Sequence, residues 1–143
     1  MENKNMIGKF SWIELVTTDV PRSKDFYGEI LGWSFWDNSS LYGNYNLALK
    51  DGKMICGIYK SSKLDGAKAH WNSYIFVEDI DHVVKQAVAL GGTLERGPFE
   101  VMGMGRMASL RDPAGAWFSL WQELKQGKGL ESDMSNEVGS FCW

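Results

Sequence analysis

The most informative stretch of the sequence is Phe10-Ser-Trp-Ile-Glu-Leu-Val-Thr17, which is followed at once by Thr18-Asp-Val-Pro21. Branched and aromatic residues alternate with other residues in the first run, which is typical of a β-strand. In the second run Asp19 suits the N-cap of a helix, and Pro21 suits its first turn. Apolar residues then recur at helical spacing as far as Gly32, a residue that favours the end of a helix. The stretch therefore predicts a strand that leads directly into a helix.

The same pattern occurs a second time. The strand-like run 71–77 leads into Glu78-Asp-Ile-Asp81 and then into a segment with an apolar side that ends at Gly91-Gly92. Three short strand-like segments, separated by glycines, follow each predicted helix. They are Trp33–Trp36, Tyr45–Leu49 and Met54–Tyr59 after the first helix, and Thr93–Glu95, Arg106–Leu110 and Ala116–Trp121 after the second. The duplication predicts an α+β fold built from two tandem βαβββ units.

The predicted domain covers residues 1–125, with unit one at about 7–60 and unit two at about 70–124. Residues 126–143 are predicted to be a polar linker and tail. Within this tail, Val138-Gly-Ser-Phe-Cys-Trp143 parallels Ile7-Gly-Lys-Phe-Ser-Trp12 nearly position for position. Two interpretations stay open: the likeness is a coincidence, or the tail resembles the start of a further copy in a chain derived from a longer, two-domain protein.

Composition excludes several classes of function. At 143 residues the chain fits one domain with a hydrophobic core, and its net charge of −3 comes without a Lys/Arg-rich stretch that would indicate nucleic acid. We find neither a signal-peptide pattern nor an apolar run near the length of a membrane span. Cys56 and Cys142 lack CxxC spacing, which favours reduced thiols. We therefore expect a cytoplasmic protein without nucleic-acid or membrane partners.

Three pairs of motifs carry a family resemblance. They are Phe26-Tyr27 with Leu31-Gly32-Trp33, Asp79-Ile80-Asp81 with Leu90-Gly91-Gly92, and Gly103-Met-Gly-Arg106 with Asp112-Pro-Ala-Gly-Ala116. In order and spacing they resemble the glyoxalase/bleomycin resistance/dioxygenase (vicinal oxygen chelate) superfamily, and most of all its glyoxalase-related, or lactoylglutathione-lyase-related, branch. The resemblance covers residues 7 to 123. It implies curved sheets that enclose a cleft, a homodimer and, in the enzymes, a divalent metal held by His, Glu or Gln.

The positions that the resemblance assigns to metal ligands carry other residues in this chain. They are Trp12 and Asn72 in the first strands of the two units, and Cys56 and Ser119 in the last strands. An indole N–H has no electron pair to donate, Asn and Ser are weak neutral donors, and a lone Cys would not hold zinc or iron. We therefore expect neither a metal nor another cofactor. A non-standard metal site formed by His70, Glu14 and Cys56 stays open as an alternative.

Strand alternation predicts which side chains line the cleft. The predicted ligand-binding residues are Trp12, Glu14, Cys56, Asn72, Tyr74, Phe76, Arg106, Trp117, Ser119 and Trp121. Their aromatic and small polar side chains suit a flat, largely apolar ligand held by stacking and one or two hydrogen bonds, although the same side chains could simply fill the cleft. Glu14 is the candidate acid or base, with a salt bridge to Arg106 or Arg111 as its alternative role. Arg106 could meet an anionic group of the ligand or pair with a carboxylate.

These residues predict a metal-independent binding protein for a small aromatic or amphipathic molecule. Bleomycin-resistance proteins, which the chain resembles, work in this way. The alternative is a lyase, isomerase or dioxygenase with a non-standard metal site or with Glu14 as general base, so the sequence leaves open whether the protein is an enzyme. A third possibility is a non-catalytic half of a two-domain protein.

Overall fold

The structure is a computed structural model that describes residues 6–37, 45–61, 68–124 and 138–140. These residues form eight strands and two helices, namely β1 (Phe10–Thr17), α1 (Val20–Leu31), β2 (Ser34–Asp37), β3 (Tyr45–Lys50), β4 (Lys53–Lys60), β5 (His70–Phe76), α2 (Ile80–Ala89), β6 (Thr93–Val101), β7 (Gly105–Arg111) and β8 (Trp117–Glu123). The α+β prediction with two βαβββ units is confirmed. Within the described ranges no helix is long and apolar enough to cross a membrane.

Contacts divide the chain into two compact units. We call Ile13–Trp71 with Glu131–Trp143 the α1 unit, and Met1–Trp12 with Asn72–Leu130 the α2 unit. Most of the predicted linker and tail, together with Cys142, lies outside the described residues, which resume only for 138–140.

In the α1 unit the strand order is β2-β3-β4-β1, and β1 pairs with β4 in parallel while the other pairs are antiparallel. The helix begins as predicted, because the Asp19 side chain accepts a hydrogen bond from the backbone N–H of Arg22 at 3.1 Å. It ends at Gly32, whose φ of 65° lies in the left-handed region that favours glycine. None of the residues of α1 is fully buried. One core cluster of this unit consists of Ala48, Ile55 and Cys56, with Ile13, Trp33 and Phe35 packed against it.

A β-bulge interrupts the pairing of β3 with β4. Ala48 lies opposite Cys56 and Leu49 lies opposite Met54, so Ile55 is an extra residue with no partner across the pair. Because the bulge breaks the alternation of side chains, the neighbours Ile55 and Cys56 are both buried in the same cluster. As a result, each side chain of β4 after the bulge lies on the opposite face of the sheet from the one that strict alternation would predict.

In the α2 unit the strand order is β5-β8-β7-β6, with β5 parallel to β8. The helix is capped by Asp79, which accepts from the backbone N–H of His82 at 3.0 Å. The backbone N–H of Ile80 donates to Oε1 of Gln122 on β8 at 3.0 Å, which ties the start of α2 to the sheet. The core lies between α2 and the strands of this unit. It consists of Val77, Ile80, Val84, Ala108, Leu110 and Leu120.

The strand β6 differs most in length from the segment that the sequence predicts. The sequence predicts a strand-like segment only at Thr93–Glu95, and a glycine and a proline, which rarely occur inside paired strands, follow at positions 97 and 98. The strand instead continues to Val101. It does so through register shifts between Leu94 and Arg96 and between Arg96 and Phe99, so pairing with β7 resumes beyond the proline.

Candidate functional site

The strands of the α2 unit have two distinct faces. Ala108, Leu110 and Leu120 pack against Ile80 and Val84 of the helix and define one face. Side chains at alternate positions point to the other face, which we call the face opposite α2. Its residues are Asn72, Tyr74 and Phe76 of β5, Met107, Ser109 and Arg111 of β7, and Trp117, Ser119 and Trp121 of β8.

The centre of this face is a buried polar network. Nδ2 of Asn72 donates to Oγ of Ser119 at 2.9 Å, and Oγ of Ser119 also lies 3.1 Å from Oδ1 of Asn72. The hydroxyl groups of Ser109 and Ser119 share a hydrogen bond of 2.8 Å. Asn72 is 4 % exposed, Ser109 3 % and Ser119 0 %. The structure thus brings two of the predicted positions, Asn72 and Ser119, into direct contact, and Ser119 also binds Ser109, which sequence reasoning missed.

Aromatic side chains lie beside the network. The indole of Trp121 lies across Gly105, where a Cβ atom would come within 2.7 Å of the ring and 2.6 Å of the backbone oxygen of Gln122. The hydroxyl of Tyr74 donates to Sδ of Met107 at 3.9 Å. The Nε1 donor of Trp121 is buried and has no acceptor among the described residues. Buried donors are normally paired, so this indole N–H is a candidate contact for a hydrogen-bond acceptor from outside the chain.

At one end the face reaches solvent. The guanidinium of Arg111 lies 5.0 Å from the ring centroid of Trp117, a cation–π contact, and its Nε donates to Oε1 of Glu95 at 2.7 Å. Arg111 and Glu95 are both exposed. Trp117 is partly exposed, in contrast to the buried Trp12, Tyr74 and Phe76.

Arg106 lies on the other face from the predicted ligand-binding residues. Its Nη1 and Nη2 donate to the two carboxylate oxygens of Asp81 at 2.6 and 3.1 Å. This hydrogen bond, together with the positive charge, lowers the pKa of Asp81. Alternation along β7 places Arg106 with Ala108 on the face that carries α2, and the first turn of α2 supplies the carboxylate. Of the two roles that we considered for Arg106, the geometry is that of the carboxylate partner.

Cys56 also differs from its predicted placement. Glu14, which is 7 % exposed, lies beside Gly57 in the pairing of β1 with β4, so Gly57 shares its face. Cys56 points the other way, into the cluster with Ile13. The reason is the bulge. Ile55 is an extra residue in β4, so Gly57 occupies the position beside Glu14 that the count along the sequence assigned to Cys56. The space above Gly57 is taken by the hydroxyl of Tyr45, which a Cβ atom there would meet.

The thiol of Cys56 has low reactivity. Burial raises its pKa from 9.0 to about 12, and the nearby charge of Glu14 raises it as well. The thiol is therefore protonated at neutral pH and is a poor nucleophile and a poor metal ligand. His70 of the alternative metal set lies on β5, where its Nδ1 is 2.7 Å from the backbone oxygen of Lys68. Among the described residues, no three His, Cys, Asp or Glu side chains form a group that could hold a metal ion.

The α1 unit contains a pocket that the sequence did not indicate. Its volume is about 440 Å³, and the side chains of Ile13, Leu31, Trp33, Ile55, Cys56 and Trp71 line it. Tyr27 stacks on Trp33 with ring centroids 5.5 Å apart, and Trp71 meets both rings edge-on. Gly139 closes part of the rim, since its backbone oxygen accepts from Nε1 of Trp33 at 2.6 Å. The signal in the sequence was the concentration of large aromatic residues around the first helix.

Comparison with known proteins places the chain in a family. The sequence model of the Glyoxalase/Bleomycin resistance protein/Dioxygenase superfamily matches residues 9–120. The chain is 33 % identical over 140 residues to CFP32 of Mycobacterium tuberculosis, a proposed glyoxylase, and the match covers 95 % of this chain and 52 % of that protein. It is 29 % identical over 150 residues to the anthracycline biosynthesis protein DnrV of Streptomyces peucetius, covering 95 % of this chain and 54 % of DnrV. The chain thus spans about half the length of these relatives.

A solved structure agrees with this placement. The Mn(II)-bound glyoxalase from Novosphingobium aromaticivorans superimposes with a TM-score of 0.57 at 14 % sequence identity, covering 92 % of this chain and 43 % of that chain. At this identity the likeness concerns the fold alone, and it agrees with the paired βαβββ units. The chain belongs to the Glyoxalase/Bleomycin resistance protein/Dioxygenase superfamily.

Proposed function

We propose that this chain binds a small, planar, largely apolar molecule without the help of a metal ion, and that the ligand offers at least one hydrogen-bond acceptor. The observation that carries the proposal is the set of groups on the face opposite α2. This face carries both a neutral network of Asn72, Ser109 and Ser119 and the buried indole donor of Trp121.

The residues at the family's metal positions do not fit a divalent cation. Asn72 and Ser119 are neutral, and their oxygen atoms already take part in hydrogen bonds with each other and with Ser109. Trp12 offers no electron pair, and Cys56 holds a protonated thiol on the other side of its sheet. A divalent metal needs charged or strongly donating ligands around one point, and this set supplies none.

The same groups suit a flat ligand. The rings of Tyr74, Phe76 and Trp121 are only 6, 8 and 4 % exposed, so a flat ligand would stack on them only after side chains of this face move apart. Nε1 of Trp121 offers a donor in a buried setting, where a hydrogen bond to an unpaired group is worth most. Trp117, at the exposed end, marks the side from which a ligand would enter. DnrV is named for anthracycline biosynthesis, and anthracyclines are fused-ring aromatic compounds of the class that we propose.

Parts of the sequence-based hypothesis remain predictions. Trp12 and Glu14 stay candidate ligand contacts, and Glu14 stays the candidate general base if a reaction takes place. A homodimer and a cytoplasmic location also stay predictions. Arg106 and Cys56 are not part of the proposed site, because each points to the helix-bearing face of its own unit.

The test is a pair of nearly isosteric ring compounds observed by nuclear magnetic resonance. Quinoline carries one ring-nitrogen acceptor, and naphthalene carries none. With EDTA present, we expect quinoline to shift the indole N–H signal of Trp121 downfield, as a new hydrogen bond does, and naphthalene to produce no such shift. The Trp121→Phe variant, which assigns the signal, should bind quinoline several-fold more weakly, while Trp36→Phe, at a residue of β2 that is 53 % exposed and lies outside this face, is the control and should bind it like the wild type.

Two results would overturn the proposal. One is quinoline binding that appears only after a divalent cation is added and that EDTA abolishes. The other is a Trp121 signal that neither compound moves at millimolar concentration.

A further inference from the structure

The geometry points to a second ligand site, which lies in the α1 unit between α1 and its strands and takes an uncharged, apolar ring system. This site is the pocket of about 440 Å³, and it is separate from the face opposite α2. The inference does not depend on the proposed function, because no residue of the pocket belongs to that face.

The pocket exists because α1 does not fill the space above its sheet. The helix has no fully buried residue, and Phe26 and Ile30 are each 56 % exposed. In the α2 unit, by contrast, the helix buries Ile80 and Val84 in a continuous core. The space that a helix normally fills with its own side chains is here left to an open concavity.

The walls of the pocket are apolar except at the rim, where the backbone of Gly139 and the hydroxyl-bearing Ser140 lie. Ile13 and Ile55 form the sheet side, and Leu31 comes from the last turn of α1. The rings of Trp33 and Trp71 meet at an interplanar angle of 89°, so one presents its edge towards the face of the other. An arrangement of this kind leaves room for a further ring to stack on one indole and meet the edge of the second.

The polar groups near the pocket already have partners. Nε1 of Trp33 donates to the backbone oxygen of Gly139, and Nζ of Lys50 donates to the backbone oxygen of Leu31 at 3.3 Å. The thiol of Cys56 is neutral. No charged side chain is among the described lining residues. A charged ligand would therefore lose its hydration without compensation, whereas an apolar one would not.

The size of the pocket favours a small molecule over a chain segment. A volume of about 440 Å³ lies within the range of ligand pockets, which runs from roughly 300 to 1,000 Å³. Trp71 is 39 % exposed, so its indole both lines the pocket and borders its opening to solvent. These features suit a compact ring system of two or three fused or linked rings.

The experiment uses N-phenyl-1-naphthylamine, an uncharged aromatic probe whose fluorescence rises in apolar surroundings. We expect the whole chain to bind it, with energy transfer from tryptophan to the probe. Trp71→Ala should weaken binding about tenfold, because it removes one ring wall, which corresponds to roughly 1.4 kcal/mol. Trp36→Ala is the matched control, since Trp36 is 53 % exposed and does not line the pocket. We expect its affinity to equal that of the wild type.

A second variant tests the pocket from the inside. Ile13→Trp adds bulk to the sheet side and should abolish binding, and a circular dichroism spectrum like that of the wild type would show that the variant is folded. The Trp121→Phe variant separates the two proposals, because it should leave the affinity for this probe unchanged. The inference is overturned if the wild type takes up no probe. It is also overturned if the Trp71→Ala and Trp36→Ala variants behave alike.

Discussion

At the scale of single residues, the buried hydroxyl of Ser119 connects the two other members of the polar network. It lies within hydrogen-bond distance of Asn72 on one side and of Ser109 on the other. Because the residue is 0 % exposed, water cannot replace the hydroxyl when it is removed. The loss of one atom therefore leaves polar groups of two neighbours without their partner.

We predict that Ser119→Ala lowers the free energy of unfolding by about 1–3 kcal/mol, the usual cost of leaving buried polar groups unpaired. Urea denaturation followed by tryptophan fluorescence measures this value. Ser34→Ala is the control, since Ser34 is exposed and its hydroxyl makes only a long contact of 3.5 Å to the oxygen of Leu49. Its effect should stay within about 0.5 kcal/mol. Equal losses in the two variants would argue against the network.

The thiol of Cys56 makes the stability depend on alkaline pH. Its pKa is about 12 in the folded chain and 9.0 in the reference state, so the folded chain holds the proton more tightly. The resulting stabilisation is complete below pH 9 and is lost as the pH rises from 9 towards 12. Relative to Cys56→Ala, the wild type should lose up to about 1.4 kcal/mol of unfolding free energy per pH unit in this window. Parallel stability curves from pH 8 to 11 would contradict this account.

Some placements could be predicted from the sequence, and others could not. Alternation along β8 predicts that Ser119 and Trp121 share a face, and the same alternation, applied to β7, would have put Arg106 with Ala108 against the helix. Alternation could not predict that Gly57, and not Cys56, lies on the same face as Glu14. This placement depends on the bulge at Ile55, and no local residue pattern marks that position.

At the scale of elements, Gly105 allows β7 to pass close beneath an aromatic ring. A Cβ atom at this position would meet the indole of Trp121 and the backbone oxygen of Gln122, and the backbone cannot move aside cheaply. We therefore predict that Gly105→Ala lowers the unfolding free energy by about 1–3 kcal/mol and changes the environment of Trp121. Thermal denaturation and near-ultraviolet circular dichroism measure the two effects.

Gly103→Ala is the control for this prediction. Gly103 has no atom within 4 Å of the position of a Cβ, but its φ of 71° is one that alanine tolerates poorly. Its replacement should cost about 1 kcal/mol through the backbone alone and leave the Trp121 spectrum as it is. If both variants change the spectrum alike, the close packing of β7 on Trp121 is wrong.

The two helices show how far element prediction reaches. The caps Asp19 and Asp79 were visible in the sequence, and both accept the expected hydrogen bond. The extent to which each helix is buried could not be predicted from the sequence. The α2 helix buries Ile80 and Val84, whereas α1 carries the exposed Phe26 and Ile30, although both helices have an apolar side. Burial depends on what the rest of the chain brings over a helix, which periodicity alone does not report.

At the scale of the whole molecule, the duplication in the sequence accounts for the fold, and the departures from symmetry account for the candidate sites. Both units contain the order βαβββ. The network of Asn72, Ser109 and Ser119 belongs to the α2 unit, and the pocket beside Trp33 belongs to the α1 unit. Superfamily membership predicts the shared part, because it depends on repeated motifs. It does not predict chemistry, which depends on a few side chains that the repeats do not share.

The central claim is that this chain binds its ligand without a metal ion. Native mass spectrometry of untagged protein, purified without added metal and then exposed to Mn²⁺, Zn²⁺ or Fe²⁺, tests it most directly. We expect the mass of the chain alone, or of the chain with an organic molecule, and no stoichiometric metal after brief desalting. One divalent ion per subunit, lost on treatment with EDTA and regained on its return, would contradict the account.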